Sequence, residues 1–326
     1  MPSLFFPLRA AYAFFKEAWF LGSPSWTTED IPDLTGQVFI VTGGNSGLGK
    51  ETVRALLEHN ARVYLASRDE KRALAAIDEL FDQTGRKARF LHLDLADFTS
   101  IKAAATEFLR KEKRLDVLFN NAGIMTTPTE VTPNGYDRVV HTNLLGPFYF
   151  TKLLLPLLIS TSQARPDGQT RIVNLTSSVH HLVESLNFDA FHDGLERRAR
   201  AGSSFSYCQS KFGDILFSNE LSRRYKDQGV ISTAVNPGNF ATQLQQPQAD
   251  SILTHVVSWQ HWCLFIYPPE WGSLTQLWAG VAPDAAETSG KYVIPWGRIG
   301  QPNEATEDVE LAVKLWIWLE DQVKDL

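Results

Sequence analysis

Cysteine is scarce in this chain of 326 residues, which carries only Cys208 and Cys263. The two lie far apart and form no CxxC pair, which excludes a disulfide framework and a zinc-finger site, and we predict no metal site. A reducing, intracellular compartment fits this cysteine usage best. Basic residues are not in excess either, because the formal net charge is −6 and no concentrated basic block occurs. Nucleic-acid binders usually carry such a block, so we expect no nucleic-acid partner.

The N-terminal residues 1–21 are rich in aromatic side chains but lack an uninterrupted apolar run. Arg9, Lys16 and Glu17 interrupt the segment, so no stretch of about 18 apolar residues is available to span a bilayer. No small-residue cleavage site follows, which argues against a signal peptide. Two interpretations stay open: a helix that packs its aromatic stripe on the domain or on a partner subunit, or a helix that lies on a membrane surface. We expect a cytoplasmic protein, with membrane association through this segment as the alternative.

Short apolar runs alternate with helical patterns along the rest of the chain. Strands are predicted over residues 37–41, 62–66, 89–93, 116–120, 170–175 and 230–235. Helices are predicted near residues 50–60, 69–84, 98–111, 136–159 and 205–227. This alternation is typical of an α/β Rossmann fold, a doubly wound parallel sheet with helices on both faces. We predict a single catalytic domain over residues 33–326, preceded by an N-terminal extension over residues 1–32.

Two segments, residues 179–204 and 240–285, interrupt the alternation. Both follow the carboxyl ends of predicted strands, where ligands bind in open α/β sheets, so we expect them to shape a substrate pocket. The second segment has an aromatic content that predicts burial against a ligand, a partner or lipid. Its aromatic residues include Trp259, Trp262, Phe265, Tyr267, Trp271 and Trp278.

A glycine-rich turn joins the first strand to the first helix of the domain. Glycines at such a turn allow close approach of the backbone to a pyrophosphate, and the helix N-terminus offers free N–H groups to the phosphates. The position of the turn between a strand and a helix predicts a nucleotide-binding loop. Its candidate residues are Gly43, Asn45, Ser46, Gly47, Leu48 and Gly49.

The end of the second strand indicates which nucleotide binds. NAD enzymes usually place an Asp or Glu there to hold the ribose. This chain has Ser67 followed by Arg68. A guanidinium can pair with a 2′-phosphate through two hydrogen bonds. The sequence therefore favours NADP(H) over NAD, although Asp69 partly offsets the charge.

Tyr207 and Lys211 are four residues apart in a predicted helix and therefore lie on one helical face. A nearby ammonium favours the phenolate form and lowers the pKa of a tyrosine. The pair is then suited to general acid/base catalysis near neutral pH.

These motifs occur together in an order that resembles the short-chain dehydrogenase/reductases, in particular the retinol-dehydrogenase-like and related fungal members. The resemblance covers roughly residues 33–300. It rests on TGGNSGLG at 42–49, HLDL with Asp94, NNAG at 120–123, HTNLLG with Asn143, two serines (Ser177 and Ser178) after IVNL, YCQSK at 207–211, and NPGNFAT at 236–242.

The resemblance implies a catalytic set of Asn143, Ser178, Tyr207 and Lys211. Tyr207 would exchange a proton with the substrate oxygen, while Lys211 would lower its pKa and hold the nicotinamide ribose. Ser178 would hydrogen-bond the substrate oxygen, with Ser177 as the adjacent alternative. Asn143 would anchor a water that relays protons toward Lys211.

The resemblance also implies further cofactor contacts beyond the glycine turn, Arg68, Tyr207 and Lys211. They would come from the ends of the third, fourth and sixth predicted strands. These residues are Asp94, Leu95, Asn121, Ala122, Gly123, Pro237, Gly238, Phe240 and Thr242.

Together these features predict an NADP(H)-dependent oxidoreductase, a ketone or aldehyde reductase or an alcohol dehydrogenase, acting on a small apolar carbonyl or alcohol substrate. The alternative is a non-catalytic NADP(H)-binding sensor or scaffold, which would need no catalytic set. His180 is interpreted as a residue that lines or supports the pocket, with a catalytic role as the alternative. The resemblance allows a homodimer, and residues 311–319 either pack internally or form an interface.

Overall fold

The computed structural model describes residues 6–19, 21–125, 130–200, 204–240, 267 and 269–326. Within this part of the chain, eight strands form a single sheet in the order β3-β2-β1-β4-β5-β6-β7-β8. Neighbouring strands are parallel except for the antiparallel pair β7 and β8. The chain order reverses between β1 and β4, so the predicted doubly wound sheet is confirmed. The strands are β1 Val38–Thr42, β2 Arg62–Ser67, β3 Arg89–His92, β4 Val117–Asn120, β5 Thr170–Leu175, β6 Val230–Val235, β7 Tyr292–Ile294 and β8 Arg298–Ile299.

Helices cover both faces of this sheet. Helix α5 contains a π-helical turn, His141–Leu145, between two α-helical parts. The helices are α1 Phe6–Trp19, α2 Gly47–Glu58, α3 Glu70–Thr84, α4 Phe98–Lys111, α5 Arg138–Ala164, α6 Leu195–Ala199, α7 Phe205–Tyr225, α8 Pro269–Gly272, α9 Leu274–Val281 and α10 Val309–Val323.

The hydrophobic core is divided by the sheet into two main clusters. In β1, Val38 and Ile40 belong to one cluster, whereas Phe39 and Val41 belong to the other. Successive side chains of a strand point to opposite faces, and a sheet covered on both faces buries all of them. This double burial explains why β1 is apolar at consecutive positions instead of alternating with polar residues.

Helix α5 is the one helix in the described part of the chain with the length and hydropathy of a membrane span. About 67% of its most apolar stretch is buried inside the domain. It lies against α4 and β5, so its apolar composition belongs to the core of the fold.

Helix α10 contains the C-terminal apolar run for which two placements were open. Leu315, Trp316 and Leu319 are buried in the larger core cluster, and Ile317 is exposed. The run therefore packs internally through one face of the helix.

Helix α1 packs on its own domain. Ala10 and Glu17 face inward, and the helix contacts the turn Ser178–Leu182. Leu8 and Tyr12 lie on the outer face, where they are 71% and 70% exposed. The inner face of α1 therefore packs on the domain, as one of the two interpretations of the N-terminal segment expected. The outer face of α1 stays largely exposed at Leu8 and Tyr12.

Candidate active site

The predicted glycine turn lies between β1 and α2 and leaves room for a phosphate group. Gly43 has φ +66, and a Cβ at this position would lie 3.1 Å from the Cα of Ala122. A Cβ at Gly49 would collide with the carbonyl group of Gly43 and would lie 2.5 Å from Nδ2 of Asn121. Glycine is therefore required at both positions by the close approach of the backbone segments.

The N-terminus of α2 is open to an anion. Ser46 is the N-cap residue, but its side chain makes no capping hydrogen bond. The N–H groups in the first turn of a helix have no intrahelical partners, so those of Gly47, Leu48 and Gly49 suit a pyrophosphate. Asn45 precedes this cap in the same loop. The turn therefore fits the dinucleotide phosphate that the sequence predicts.

Hydrogen bonds fix the end of β4 to the end of β1. The Thr42 hydroxyl accepts hydrogen bonds from the N–H groups of Asn121 at 3.0 Å and Ala122 at 2.9 Å. The Asn121 side chain donates to the Thr42 carbonyl at 2.7 Å. Gly123 follows directly. This places the predicted segment 121–123 beside the glycine turn, at the point where the strand order reverses.

The carboxyl end of β2 is followed by the exposed cation Arg68 and by Asp69, whose carboxylate caps a helix. Ser67 is buried and Arg68 is exposed. Arg68 makes no ion pair with any residue that the structure describes. Asp69 uses its side chain to cap α3, accepting a hydrogen bond from the Arg72 N–H at 3.0 Å. The Asp69 carboxylate, which partly offsets the charge of Arg68, is therefore held in place by the N-terminus of α3.

Asp94 and Leu95 follow β3 at the same edge of the sheet. The Asp94 side chain accepts a hydrogen bond from the Ala96 N–H at 2.9 Å. The backbone N–H of Asp94 donates to the Ser100 hydroxyl at 2.9 Å. The Leu95 side chain is buried in the core. Leu95 would therefore contact a cofactor through its backbone only.

Ser177 is the serine that faces Tyr207. Its hydroxyl lies close enough to Tyr207 to lower the pKa of that phenol. Ser177 has an extended backbone with φ −161 and ψ 155, whereas Ser178 begins the following 3₁₀ turn. In extended backbone a step of one residue reverses the side-chain direction. The structure therefore favours Ser177, the stated alternative, over Ser178 as the substrate-facing serine.

Lys211 lies one helical turn beyond Tyr207, as the spacing predicts. Its Nζ donates hydrogen bonds to the Leu175 carbonyl at 2.6 Å and to Oδ2 of Asp214 at 2.9 Å. The same Nζ lies 5.9 Å from the centre of the Tyr207 ring. All three side chains of this group on α7 are buried.

Burial dominates the acid/base properties of this group. It raises the pKa of Tyr207, while Lys211 and the hydrogen bond from Ser177 lower it and Asp214 raises it further. The effect of Lys211 has the predicted sign, but the net shift of the Tyr207 pKa is upward. Burial also raises the pKa of Asp214, to about 6, against the opposing effect of Lys211.

Asn143 sits in the π-helical turn of α5 and holds the segment after β4. Its Oδ1 accepts a hydrogen bond from the Ile124 N–H at 2.8 Å, and its Nδ2 donates to the Ile124 carbonyl at 2.9 Å. Nδ2 also donates to the Ser210 hydroxyl at 3.0 Å. π-Helical turns are frequent at functional sites. This turn connects the cofactor side of the site with α7.

His180 is fully buried and supports the serine loop. Its Nδ1 lies 2.7 Å from the Ser177 carbonyl, and its Nε2 accepts a hydrogen bond from the Asn303 N–H at 3.2 Å. Burial and the neighbouring His181 hold the pKa of His180 well below 6.5. Both ring nitrogens are occupied within the protein, so the supporting role is favoured over a catalytic one.

Pro237, Gly238 and Phe240 follow β6. The Asn236 side chain accepts a hydrogen bond from the Gly238 N–H at 3.0 Å. The Phe240 side chain is 2% exposed and packs against Trp296, with ring centroids 5.9 Å apart. Phe240 would therefore contact a cofactor through its backbone. Thr242 lies outside the described residues.

The aromatic segment forms part of the protein's own core where the structure describes it. The Tyr267 ring stacks on Trp271 with centroids 6.2 Å apart, and Trp271 meets Trp296 edge-on at 5.4 Å. Trp278 packs against the second core cluster. Tyr267, Trp271 and Trp278 are thus partly buried against other protein side chains, and Trp296 is buried. The remaining aromatic residues of the segment, Trp259, Trp262 and Phe265, lie outside the described residues.

Sequence reasoning did not identify Asp214, Asn303 or β7. Asp214 follows Lys211 by three residues, which is helical spacing, so an acidic partner was detectable there. Asn303 reaches the serine loop from a distant part of the chain, and no local pattern identifies it.

Comparison with known proteins decides the family. A model of the short chain dehydrogenase family matches residues 37–189. A short-chain dehydrogenase/reductase of Armillaria gallica is 47% identical over 306 residues, which is 93% of this chain and 95% of the relative. The chain belongs to the short-chain dehydrogenase/reductase family.

Two further similarities extend this result. Mouse retinol dehydrogenase 11 is 38% identical over 260 residues, which is 79% of this chain and 78% of the relative. The crystal structure of an uncharacterized protein from Mycobacterium paratuberculosis has a TM-score of 0.69 and 28% sequence identity, and the alignment covers 92% of this chain and 97% of that chain. The predicted family resemblance and Rossmann fold are thereby confirmed. Short-chain dehydrogenase/reductases are oxidoreductases that bind nicotinamide cofactors.

Proposed function

We propose that this protein is an NADP(H)-dependent reductase of ketones or aldehydes, which in the reverse direction oxidises the corresponding alcohols. The observation that carries the proposal is the buried group on α7, in which the Tyr207 ring lies 5.9 Å from the Lys211 ammonium and the phenol faces Ser177. A sensor or scaffold that only binds nucleotide needs no such arrangement.

The chain's own residues supply the proton chemistry. When bound, a nicotinamide supplies or accepts the hydride. During reduction Tyr207 donates its proton to the substrate oxygen, and the Ser177 hydroxyl donates a hydrogen bond that holds the same oxygen. The Lys211 ammonium stabilises the phenolate that remains. In the oxidative direction the same groups act in reverse order, and Tyr207 accepts the proton.

The preference for NADP(H) is supported by the end of β2. The exposed Arg68 has no ion-pair partner among the described residues, and the carboxylate of Asp69 is engaged at the N-cap of α3. A 2′-phosphate at this position would meet the guanidinium of Arg68, while the carboxylate of Asp69 is held at the helix N-terminus.

An apolar substrate is supported by the surroundings of the site. The loop after β6 rests on an aromatic cluster that contains Phe240, Tyr267, Trp271 and Trp296. Residues 240–285 follow the carboxyl end of β6 and are rich in aromatic side chains, and ligand pockets are lined mainly by apolar and aromatic groups. One relative, the mouse retinol dehydrogenase, is named for retinol, an apolar alcohol.

A titration of the purified protein with NADPH and with NADH tests the cofactor proposal. We expect NADPH to bind at least about tenfold more tightly, since a charge-assisted bidentate contact is worth roughly 1.5–3 kcal/mol. Arg68→Ala should remove most of this preference. Arg86→Ala is the matched control, because Arg86 is also exposed but lies beyond the opposite end of α3.

Each outcome of the titration is informative. Equal or tighter binding of NADH would contradict the proposed role of Arg68. A preference for NADPH that survives in Arg68→Ala would locate the 2′-phosphate contact elsewhere. Absence of NADPH oxidation with a broad panel of apolar ketones and aldehydes would contradict the proposed reaction.

We also propose that the outer face of α1 contacts a membrane surface. Leu8 and Tyr12 are exposed on this face, together with the basic residues Arg9 and Lys16. Arg9 lies 3.6 Å from Glu304 in a highly exposed ion pair, which solvent screens strongly. Apolar and basic residues on one helical face are typical of interfacial helices.

A further inference from the structure

Glu17 on α1 is a buried carboxylate that the proposed reaction does not use. The residue belongs to the N-terminal extension, outside the sheet, yet it is only 8% exposed. Removing a carboxylate from water is costly unless polar partners replace the solvent. The partners that surround this carboxylate therefore indicate what the helix is fixed to.

The two carboxylate oxygens of Glu17 contact residues from different elements of the fold. Oε2 accepts a hydrogen bond from the Tyr292 hydroxyl at 2.6 Å and from the Asn236 side chain at 3.4 Å. Oε1 lies 3.3 Å from Nε2 of His181. These partners come from β7, from the end of β6 and from the turn after β5.

Asn236 links Glu17 to the loop that follows β6. The Asn236 Oδ1 accepts the hydrogen bond of the Gly238 N–H, while its Nδ2 donates to Glu17. Just beyond α1, Leu21 packs closely on the same loop, because a Cβ at Gly238 would lie 2.8 Å from Leu21 Cδ1. The N-terminal extension therefore fixes both the polar and the apolar side of this loop.

His181 links Glu17 to the loop that carries Ser177. The rings of His180 and His181 are 4.0 Å apart between centroids. His180 in turn contacts the Ser177 carbonyl through Nδ1. Thus Glu17 is separated by two side chains from the backbone of the residue that faces Tyr207.

We propose that Glu17 is a positioning residue, which holds the Ser177 loop and the Asn236–Gly238 loop at a fixed distance and makes α1 a structural part of the active site. The inference rests on the proposed function for its effect on turnover, but not for its effect on the two loops. If α1 needed only an anchor, an apolar side chain at position 17 would provide one without burying a charge.

Hydrogen exchange followed by mass spectrometry tests this directly, on the full chain. In Glu17→Ala we expect exchange at least about fivefold faster in residues 177–182 and in residues 236–240, because local opening there loses its shared partner. Residues 70–84 of α3 should be unchanged. Glu29→Ala is the control, since Glu29 is an exposed glutamate of the same N-terminal extension.

Glu17→Gln separates positioning from general stability. Its amide oxygen can still accept the Tyr292 hydrogen bond, so we expect exchange rates between those of the wild type and Glu17→Ala. In NADPH turnover, Glu17→Ala should lower kcat per folded molecule about tenfold or more, and Glu17→Gln should restore part of this loss. A merely structural residue would instead lower the amount of folded protein and leave kcat per folded molecule unchanged.

The outcomes decide the two claims separately. Faster exchange confined to α1, or spread evenly over the domain, would overturn the positioning role. If Glu17→Ala does not fold, unchanged exchange of both loops in Glu17→Gln would overturn it as well. If the wild type turns over no carbonyl with NADPH, the proposed function fails, and the exchange result still decides the role of Glu17.

Discussion

Asp214 gives the lysine of this site a negatively charged neighbour. Its Oδ2 accepts a hydrogen bond from Lys211, and both groups are buried. Part of the lysine charge therefore acts on Asp214 instead of on Tyr207. Burial is the main reason why the Tyr207 pKa remains raised although a cation lies near its ring, and the negative charge of Asp214 raises it further.

Asp214→Asn should lower the pKa of Tyr207, because the carboxylate opposes formation of the phenolate. The pKa of Asp214 is about 6, so its charge is present above that pH and is lost below it. Alcohol oxidation needs the deprotonated tyrosine, so its rate rises as pH passes the Tyr207 pKa. We expect this rising limb of the kcat/KM profile to move to lower pH in Asp214→Asn.

The control for this shift is Asp227→Asn, since Asp227 is exposed just beyond the far end of α7. An unchanged pH profile in Asp214→Asn would show that the charge of Asp214 does not reach Tyr207.

Ser177→Ala and Ser178→Ala form a pair that tests which of the two serines binds the substrate oxygen. Removal of one hydrogen-bond donor to a reacting oxygen costs about 100-fold or more in kcat, so we expect that loss for Ser177→Ala. Ser178→Ala should change kcat only a few-fold, since its hydroxyl is not directed at Tyr207. The reverse order in steady-state assays would restore the original assignment of Ser178.

At the scale of elements, the turn between β1 and α2 depends on close backbone approach. Gly49→Ala should destabilise the protein by about 1–3 kcal/mol, because the methyl group meets the Gly43 carbonyl and the Asn121 side chain, which is held by its hydrogen bond to Thr42. NADPH binding should weaken at the same time, as the loop shifts. Urea unfolding and NADPH titration measure the two effects.

Gly194→Ala is the matched control, since a methyl group at Gly194 meets open space. If Gly49→Ala matched the wild type in both stability and NADPH affinity, the cofactor loop would be placed incorrectly.

Six strands of the sheet were predictable from sequence. Five of them, β1, β2, β4, β5 and β6, are buried on both faces, whereas the edge strand β3 is exposed at Arg89 and His92. β1 was expected over residues 37–41 and spans Val38–Thr42, and β5 was expected at its observed bounds of Thr170–Leu175. Burial on both faces gives an apolar run that differs clearly from the amphipathic helices around it. The main helices were predictable because their apolar residues recur at helical spacing on one face.

The elements that sequence reasoning missed are short or depend on distant partners. β7 has three residues and β8 has two, too few to show a period. The choice between Ser177 and Ser178 depends on where extended backbone gives way to a 3₁₀ turn, which no periodicity marks. The burial of Glu17 depends on Tyr292 and Asn236, which are far away along the chain.

At the scale of the whole molecule, the outer face of α1 predicts binding to lipid vesicles. We expect the wild type to float with vesicles that contain anionic lipid. The double variant Leu8→Glu, Tyr12→Glu should bind at least about tenfold more weakly, since each buried apolar side chain is worth roughly 1.5–3 kcal/mol.

The control is Ile317→Glu, an equally drastic change at an exposed apolar residue of α10. Equal flotation of the wild type and the α1 double variant would contradict a membrane contact through this helix.

The site as a whole is assembled from parts of the chain that are remote in sequence. The glycine turn, the end of β4, the serine loop, α7 and the N-terminal helix meet at one edge of the sheet because the carboxyl ends of its parallel strands lie there. Only the local motifs of this set were visible in sequence. How these motifs lie relative to one another could be read only from the folded structure.

The central claim is that Tyr207 exchanges the proton while other groups bind the cofactor, and Tyr207→Phe tests it most directly. The measurement is NADPH binding and carbonyl-dependent NADPH oxidation on the same preparation. We predict that the rate falls by about 100-fold or more, as expected for loss of a general acid, while the Kd for NADPH stays within about threefold of the wild type. Turnover that persists in Tyr207→Phe at nearly the wild-type rate would contradict the account.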